Sequence, residues 1–414
     1  MPAATPTPRH GVHVAGTVAG NNGDDFKGVA PNAQLMIMKI FADNSGSTGD
    51  DIILAGVDDA VKLGADSINM SLGSPAGFTE YGDENEEETD SYLTYYGVYT
   101  RAQEAGVNVM VAAGNETSST YYNPAGTQLT LAQYPDSAIV ASPSVSVASV
   151  DNVGYFRNHF ALGETKIPYN GGVDYDSQVE TNILDTMEGQ TLEYVPVPGL
   201  GEEKDFEGLD LTGKVALVAR GSINFDVKAA NAAAVGAVAI IIYNNTDEGL
   251  FYASLQSHSI PVITIAKQDV QAMLDAPEKK ITFSSDYYGK ALNYNGYQVS
   301  SFSSIGPAPD LTIKPEIAAP GGQIYSSVIG GGYETMSGTS MAAPHMTGLT
   351  ALVQEYVQKE LGVTAKVPTS NLAQQLLVST ALPLQDENGV YYSPRQQGAG
   401  LVNVDGAVKT PAYI

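Results

Sequence analysis

The sequence predicts an α/β protein with a parallel sheet, helices on both faces of the sheet, and a smaller inserted domain. From about residue 34, short apolar and β-branched runs alternate with helical stretches, a pattern typical of strands buried in a parallel sheet. From about 160 to 290 the pattern changes to acidic loops and a second strand–helix series, and the earlier pattern resumes near 297. We therefore expect a flexible lead-in at 1–9, a main domain formed by 10–159 and 291–414, and an inserted domain at 160–290.

Five segments define the first part of the main domain. The predicted elements are a buried strand at 34–41, an amphipathic helix at 50–64, a strand and loop at 67–73, a helix at 91–106, and a strand and loop at 107–115. Ligand sites in such sheets lie at the carboxyl ends of the strands. The loops that follow 67–73 and 107–115 are therefore candidate edges of a site.

The inserted domain has its own strand–helix pattern. It predicts a strand at 213–221, a helix at 227–237, a strand at 239–245 and a strand feeding a helix at 261–274. This run is long enough to bury a small core. His258 is a lone histidine, for which a structural or exposed position is expected. The acidic run at 82–90 of the main domain predicts a solvated loop, with calcium binding as the alternative.

Composition excludes several functions. The 414 residues carry 20 Lys+Arg and 46 Asp+Glu, a net charge of −26, which disfavours nucleic acid or an anionic membrane as a partner. The absence of cysteine excludes disulfides and a thiol nucleophile. No apolar run approaches the roughly 20 residues of a spanning helix, and the first residues lack the apolar core of a signal peptide. Any export signal is expected outside this chain.

Three distant segments carry residues suited to catalysis. In 10–20, His10 precedes a Gly- and Ala-rich run that predicts a tightly packed helix with the imidazole at its start. His13 makes an HxxH pattern, but a metal site needs a third ligand, so a structural role is favoured. In 109–116 a strand ends at Asn115, whose amide can donate to a developing oxyanion, although Gly-Asn is also an ordinary turn signal.

The third segment, 338–357, predicts a long helix that begins near Ser340. Unpaired N–H groups at a helix start favour a nearby anion, whereas an isolated serine there would be an ordinary N-cap. Pro344 is expected in the first turn, where its missing N–H has little effect.

Taken together, the motifs HGVHVAG, NMSLG, AAGN and GTSMAAP, in that order, resemble those of the subtilisin-like serine proteases (subtilases). The segments 302–321 and 393–404 look like the cell-envelope proteinases of Gram-positive bacteria, the lactocepin and C5a-peptidase group. The insertion resembles the protease-associated (PA) domain of that group. The resemblance covers nearly the whole chain outside the insertion.

The resemblance implies individual roles. His10 corresponds to the general base, Ser340 to the nucleophile, and Asn115 to the side-chain donor of the oxyanion hole, with the backbone N–H of Ser340 as second donor. The family binds the substrate backbone as an added strand, and other loops shape its primary specificity pocket. The implied substrate-binding residues are Ser45, Gly46 and Ser47; Ser71, Leu72 and Gly73; and Ala112, Ala113 and Gly114.

One part of the family pattern has no counterpart. Subtilases carry Asp, His and Ser in that order, and none of the nine residues before His10 is acidic. Asp24 and Asp25 follow the histidine and do not match the motif of the catalytic Asp. The resemblance therefore implies that the N-terminal strands and the Asp segment are absent from this sequence.

The leading expectation is a serine endopeptidase that acts on proteins or peptides, outside the cell or attached to its envelope. It needs no cofactor for chemistry, and a structural calcium ion with unassigned ligands is compatible with it. The alternative is a non-catalytic binding or adhesion module that uses the PA-like domain on a protease scaffold. A small-molecule esterase is a third interpretation, because acyl-enzyme chemistry is shared and only the cleft differs.

Overall fold

The computed structural model describes residues 9–23, 26–42, 47–73, 95–115, 144–175, 180–246, 249–257, 259–293, 296–307 and 313–411. The chain divides into two compact units. The first consists of Met1–Asn152 and Gly296–Ile414, and the second of Val153–Asn295. The insertion expected at 160–290 lies inside the second unit.

The helices are given in chain order: α1 (Arg9–Ala19), α2 (Asp50–Lys62), α3 (Tyr95–Glu104), α4 (Leu184–Met187), a 3₁₀ turn (Glu203–Phe206), α5 (Phe225–Ala234), α6 (Lys267–Asp275), α7 (Thr339–Lys359), α8 (Lys366–Ser379), α9 (Pro394–Gln397) and α10 (Val404–Lys409).

The strands are β1 (Asn21–Asn22), β2 (Phe26–Lys27), β3 (Ser67–Met70), β4 (Asn108–Ala112), β5 (Val145–Asp151), β6 (Gly154–Leu162), β7 (Thr165–Pro168), β8 (Asn170–Gly171), β9 (Val173–Asp174), β10 (Thr191–Pro196), β11 (Val215–Ala219), β12 (Ala239–Tyr243), β13 (Ser254–Leu255), β14 (Val262–Ile265), β15 (Lys280–Leu292), β16 (Ile317–Gly322), β17 (Ile324–Ser327) and β18 (Tyr333–Met336).

The first unit contains a parallel sheet in the order β16–β5–β4–β3. Successive side chains of a strand point to opposite faces, and β4 shows this clearly. Met110 and Ala112 pack with apolar residues of α7 and α8, whereas Val109 and Val111 pack with those of α2 and α3. The predicted fold class, a parallel sheet with helices on both faces, is confirmed.

The second unit forms a mixed sheet in the order β7–β6–β15–β10–β11–β12–β14–β8. Its centre, from β10 to β14, is parallel, and antiparallel strands flank it. Val215 and Leu217 of β11 pack into one core, and Ala216 and Val218 pack into another. The second unit therefore buries apolar side chains on both faces of its own sheet.

Most predicted elements of the main domain are confirmed in position. The helix expected at 50–64 is α2, the strand at 67–73 is β3, and the strand at 107–115 is β4. The described part of 91–106 is the helix α3. Each of these helices and strands carries apolar residues along at least one face, and that face is buried against a neighbouring element.

The strand predicted at 34–41 is wrong. This segment has no regular secondary structure, and Leu35, Met36 and Ile37 are 45%, 45% and 71% exposed. The described sheet ends at β3, so the segment pairs with no strand there. An apolar run becomes a buried strand only where both a pairing partner and a covering layer are present.

The placement of Pro344 is also wrong. The helix α7 begins at Thr339, so Pro344 is its sixth residue and lies in the second turn. At that position a backbone N–H would normally donate to the carbonyl oxygen four residues earlier, which belongs to Ser340. Proline has no N–H to give, and the Ser340 carbonyl therefore lacks its regular helical donor.

Several sequence-based expectations lie outside the described residues: the lead-in residues 1–8, Asp24 and Asp25, Ser45 and Gly46, the acidic run at 82–90, and His258. Among the helices that are described, none is both long and apolar enough to cross a membrane.

Candidate active site

Ser340 is the second residue of α7, where helix geometry leaves backbone donors without partners. Its backbone N–H pairs with no acceptor among the described residues, and its side chain is half-buried. The hydroxyl oxygen lies 3.5 Å from the carbonyl oxygen of Ser71, the outer limit of a hydrogen bond. The Ser340 hydroxyl is therefore free to turn toward a stronger acceptor.

The side-chain amide of Asn115 is fixed in orientation by the residue before Ser340. Its Oδ1 accepts hydrogen bonds from the backbone N–H and the hydroxyl of Thr339, both at 2.9 Å. The Thr339 hydroxyl in turn accepts from the Gly114 N–H at 3.1 Å. Because Oδ1 faces Thr339, the Nδ2 donor of Asn115 must face the other way.

Two hydrogen-bond donors converge beside Gly338. A β-carbon built on Gly338 would lie 3.6 Å from the backbone nitrogen of Ser340 and 3.7 Å from Nδ2 of Asn115. Both donors therefore border the same small space, which stays open because residue 338 has no side chain. Met341 Sδ borders the same space at 3.7 Å. Two donor nitrogens beside one space, next to a serine, are suited to stabilise the oxyanion of acyl transfer.

His10 is the second residue of α1, and its ring is exposed. Partial desolvation by the surrounding chain lowers the pKa of His10 below its ordinary value, so the imidazole is mainly neutral at pH 7 and has a ring nitrogen that can accept a proton. Among the described residues no hydrogen bond joins His10 to Ser340, and no carboxylate binds either ring nitrogen. The structure places His10 on a helix that packs against α7, without a formed catalytic pair.

The position of α1 is set one turn further on, at His13. Nε2 of this buried imidazole lies 3.0 Å from the carbonyl oxygen of Ile324 and 3.1 Å from that of Glu334. Two acceptors require a proton on Nε2, and the buried Nδ1 has no partner. Burial accordingly lowers the pKa of His13. The expected structural role of His13 is confirmed by these contacts.

The ends of β3 and β4 flank the start of α7. The two strands are paired neighbours, with Met70 opposite Val111, so Ser71 and Gly114 leave the sheet at one edge. Ser71 bonds to Ser340, and Gly114 bonds to Thr339. Gly114 adopts φ = 99°, a left-handed conformation that favours glycine.

The remaining predicted cleft residues differ in their surroundings. Ala112 and Ala113 are buried, Leu72 is half-buried and Gly73 is exposed. Ser47 is exposed and lies just before α2. The structure thus brings Ser71, Gly114, Asn115 and Ser340 together. In the described ranges it shows no group of three or more His, Cys, Asp or Glu side chains that could hold a metal ion.

Sequence reasoning missed two contributors, Thr339 and Asn69. Thr339 is fully buried and orients Asn115, while Asn69 donates to the Ser71 hydroxyl at 3.0 Å. The only signal for Thr339 was its position between Gly338 and Ser340. Asn69 is the first residue of the NMSLG motif, but no pattern in the sequence indicates which face of β3 meets α7.

Comparisons with known proteins identify the family of this chain. Residues 2–400 match the peptidase S8 subtilase family. The C5a peptidase of Streptococcus pyogenes is 33% identical over 98% of this chain and 34% of its own length. The minor extracellular protease Vpr of Bacillus subtilis is 34% identical over 100% of this chain and 48% of its own. The PII-type proteinase of Lacticaseibacillus paracasei is 32% identical over 97% of this chain and 22% of its own.

This chain therefore spans between about a fifth and a half of the length of these curated relatives. Among solved structures, the psychrophilic subtilisin-like protease Apa1 from Pseudoalteromonas sp. AS-11 superposes with a TM-score of 0.53, at 18% identity over 97% of this chain and 84% of that one. This likeness supports the fold. The matches confirm the family identified from the motifs: the chain belongs to the subtilase family of serine peptidases.

Proposed function

We propose that this chain is the catalytic part of a serine endopeptidase that hydrolyses proteins or peptides through an acyl-enzyme on Ser340. The observation that carries the proposal is the convergence of Asn115 Nδ2 and the Ser340 N–H on the space beside Gly338. An ordinary N-cap serine needs no second, separately oriented donor at that point. Here Thr339 holds that donor in place from another part of the chain.

The residues support a two-step acyl transfer. The Ser340 oxygen attacks the carbonyl carbon of the peptide, and its proton passes to a ring nitrogen of His10. The carbonyl oxygen becomes an anion beside Asn115 Nδ2 and the Ser340 N–H. When the carbon–nitrogen bond breaks, His10 returns the proton to the leaving amine. Water then attacks the acyl group in the same way and releases Ser340. No step needs a metal or an organic cofactor.

His10 suits the role of base because its lowered pKa leaves a ring nitrogen unprotonated at neutral pH. In the subtilase triad a carboxylate orients the imidazole and stabilises its charged form. The described residues supply no such carboxylate to His10. We therefore propose that this chain has a preformed oxyanion hole but a base, His10, whose orientation is only weakly fixed, and that its activity is correspondingly low.

A non-catalytic binding module is the second candidate. The absence of a hydrogen bond between His10 and Ser340 among the described residues favours it. Without a hydrogen bond between His10 and Ser340, the protease fold could serve as a scaffold that presents the second unit to a protein. We propose that the second unit is a PA-like domain that takes part in substrate access or partner contact. Its separate sheet and cores support an independent unit.

The activity proposal predicts a single reactive serine. A fluorophosphonate probe should label this chain at Ser340, because that residue lies beside two donor nitrogens, its own N and Asn115 Nδ2. Peptide mapping of the adduct checks the site. Ser340→Ala should abolish labelling, whereas the matched control Ser379→Ala, on the exposed face of α8, should label like the wild type.

Labelling of another serine, or a Ser340→Ala variant that still labels, would contradict the assignment. A folded wild-type chain that takes no label would favour the binding module. We further propose a location outside the cell or at its envelope, since the relatives include a protease named as extracellular.

A further inference from the structure

The Ser340 carbonyl lies in the first turn of a long helix but lacks the hydrogen-bond donor that a helix normally supplies. Its regular donor would be the N–H of residue 344, which is proline. A carbonyl that is partly withdrawn from water and has no partner is unfavourable. The proline ring also crowds the carbonyl four residues before it. Something other than the helix must therefore hold this carbonyl.

The Ser71 hydroxyl supplies the missing hydrogen bond. Its Oγ donates to the Ser340 carbonyl oxygen at 2.6 Å, although the two residues are far apart in sequence. Asn69 Nδ2 donates to the same Oγ at 3.0 Å. Because that oxygen accepts from Asn69, the Ser71 proton is directed at Ser340.

Asn69 is itself held by α7. The hydroxyl of Thr347, one turn beyond Pro344 in the helix, lies 3.3 Å from Asn69 Oδ1 and 3.0 Å from the Ala343 carbonyl oxygen. The Thr347 hydroxyl has one proton for these two acceptors. When Asn69 accepts it, hydrogen bonds run from α7 through Asn69 and Ser71 and back to Ser340. They bridge the turn at which Pro344 interrupts the helix.

The pattern of β3 supports a role beyond covering the sheet. Met70 packs with α2 and α3, so Asn69 and Ser71 face the other side of the strand. The β4 residue paired with Asn69 is Met110, and the next residue on that face is Ala112; both are buried and apolar. A polar pair at that layer is unfavourable unless its hydrogen bonds are satisfied, and here the partner is the carbonyl of the proposed nucleophile.

We propose that Ser71, oriented by Asn69, is a positioning residue that replaces the N–H missing from Pro344 and thereby fixes where α7 presents the Ser340 hydroxyl and N–H. The inference rests on the proposed function for its consequence in catalysis. The hydrogen-bond replacement itself stands on the structure alone. Small displacements of a reacting group have large effects, up to about 10²-fold for 1 Å.

A double-mutant cycle between Ser71 and Pro344 tests the inference. Pro344→Ala restores a backbone N–H four residues after Ser340. In the Pro344 background, Ser71→Ala should slow fluorophosphonate labelling of Ser340 by about tenfold and lower the melting temperature. In the Pro344→Ala background, the same substitution should change the labelling rate by less than about twofold. Ser67→Ala, on the same face of β3, is the matched control and should match the wild type in both backgrounds.

Labelling rates are measured well below each melting temperature, so that a loss of stability alone does not change them. Equal effects of Ser71→Ala in both backgrounds, on labelling and on melting temperature, would overturn the replacement. A wild-type rate in Ser71→Ala, with Ser340 labelled in the parent, would overturn the positioning role. If the parent takes no label, the proposed function fails, and the coupling of melting temperatures still decides whether Ser71 replaces the missing donor.

Asn69→Ala provides a second test of the orientation. It leaves the Ser71 hydroxyl in place but removes the donor that directs its proton. We expect slower labelling than in the wild type and no further loss when Ser71→Ala is added. Fully additive losses would show that Asn69 acts independently of Ser71 and would contradict the inference.

Discussion

Ser340 and His10 each occupy the second position of a helix, but their surroundings differ. The start of α7 is held from three directions: by Asn115 through Thr339, by Gly114, and by Ser71. The start of α1 is exposed, and the contacts of that helix centre on His13. Arg9 adds an ion pair with Glu334, but both side chains are partly exposed, and such pairs contribute little.

The difference separates two parts of the proposed catalytic machinery. The proposed oxyanion donors are oriented by partly buried hydrogen bonds within this chain, whereas no described hydrogen bond orients the proposed base, His10. Preorganised donors act without rearrangement at the moment of reaction. A base that is free to rotate spends only part of its time in hydrogen-bond reach of the nucleophile. Three predictions follow this contrast.

The largest effect is expected at the base. In subtilases a separate segment carries the catalytic Asp. Fusing that segment to this chain should raise the rate of peptide hydrolysis by about 10⁴-fold. This is the magnitude associated with the orienting acid in serine proteases, including subtilisin itself. Rates on one peptide substrate, with circular dichroism to confirm folding, check the prediction. An Asp→Ala version of the added segment is the control, and equal rates with either version would contradict it.

The oxyanion side should show an intermediate effect. Asn115→Ala in an active form should lower kcat by about 10²–10³-fold with little change in KM, a magnitude measured for the corresponding donor in subtilisin. The exposed Asn371→Ala on α8 is the control. A raised KM with unchanged kcat would make Asn115 a substrate-binding residue instead.

The smallest effect concerns pH. Because desolvation lowers the pKa of His10, its neutral, basic form should persist below pH 6.5, the ordinary histidine value. The labelling rate of Ser340 should therefore fall mainly below that value, with a loss of less than about twofold between pH 7.5 and 6.5. A nearby carboxylate favours the charged imidazole, so the added Asp segment should move the midpoint upward. A midpoint above pH 6.5 in this chain alone would contradict the environment assigned to His10.

The sequence was informative where function depends on local chain geometry. A Gly-Thr-Ser entry into an apolar run predicted the helix start at Ser340, and a strand ending in Ala-Ala-Gly-Asn predicted the position of Asn115. The structure confirms both positions: α7 begins at Thr339, and Asn115 lies in the loop that follows β4. The alternation of apolar residues likewise predicted which helices and strands form, because burial of one face largely determines them.

Prediction failed where distant parts of the chain decide the outcome. Segment 34–41 has the composition of a buried strand, but composition does not reveal whether a neighbour is available to pair with it. Pro344 was expected in the first turn, but it lies in the second turn of α7, where its missing N–H deprives the Ser340 carbonyl of its helical donor. The partner of that carbonyl, Ser71, lies 269 positions away in the sequence.

The most direct test of the central claim is a crystal structure of the Ser340 adduct with a fluorophosphonate. The preorganised donors should place a phosphoryl oxygen about 2.7–3.1 Å from both Asn115 Nδ2 and the Ser340 backbone nitrogen. Asn115 Oδ1 should still accept from Thr339. A phosphoryl oxygen directed into solvent, or an Asn115 amide turned so that Nδ2 faces Thr339, would contradict the account.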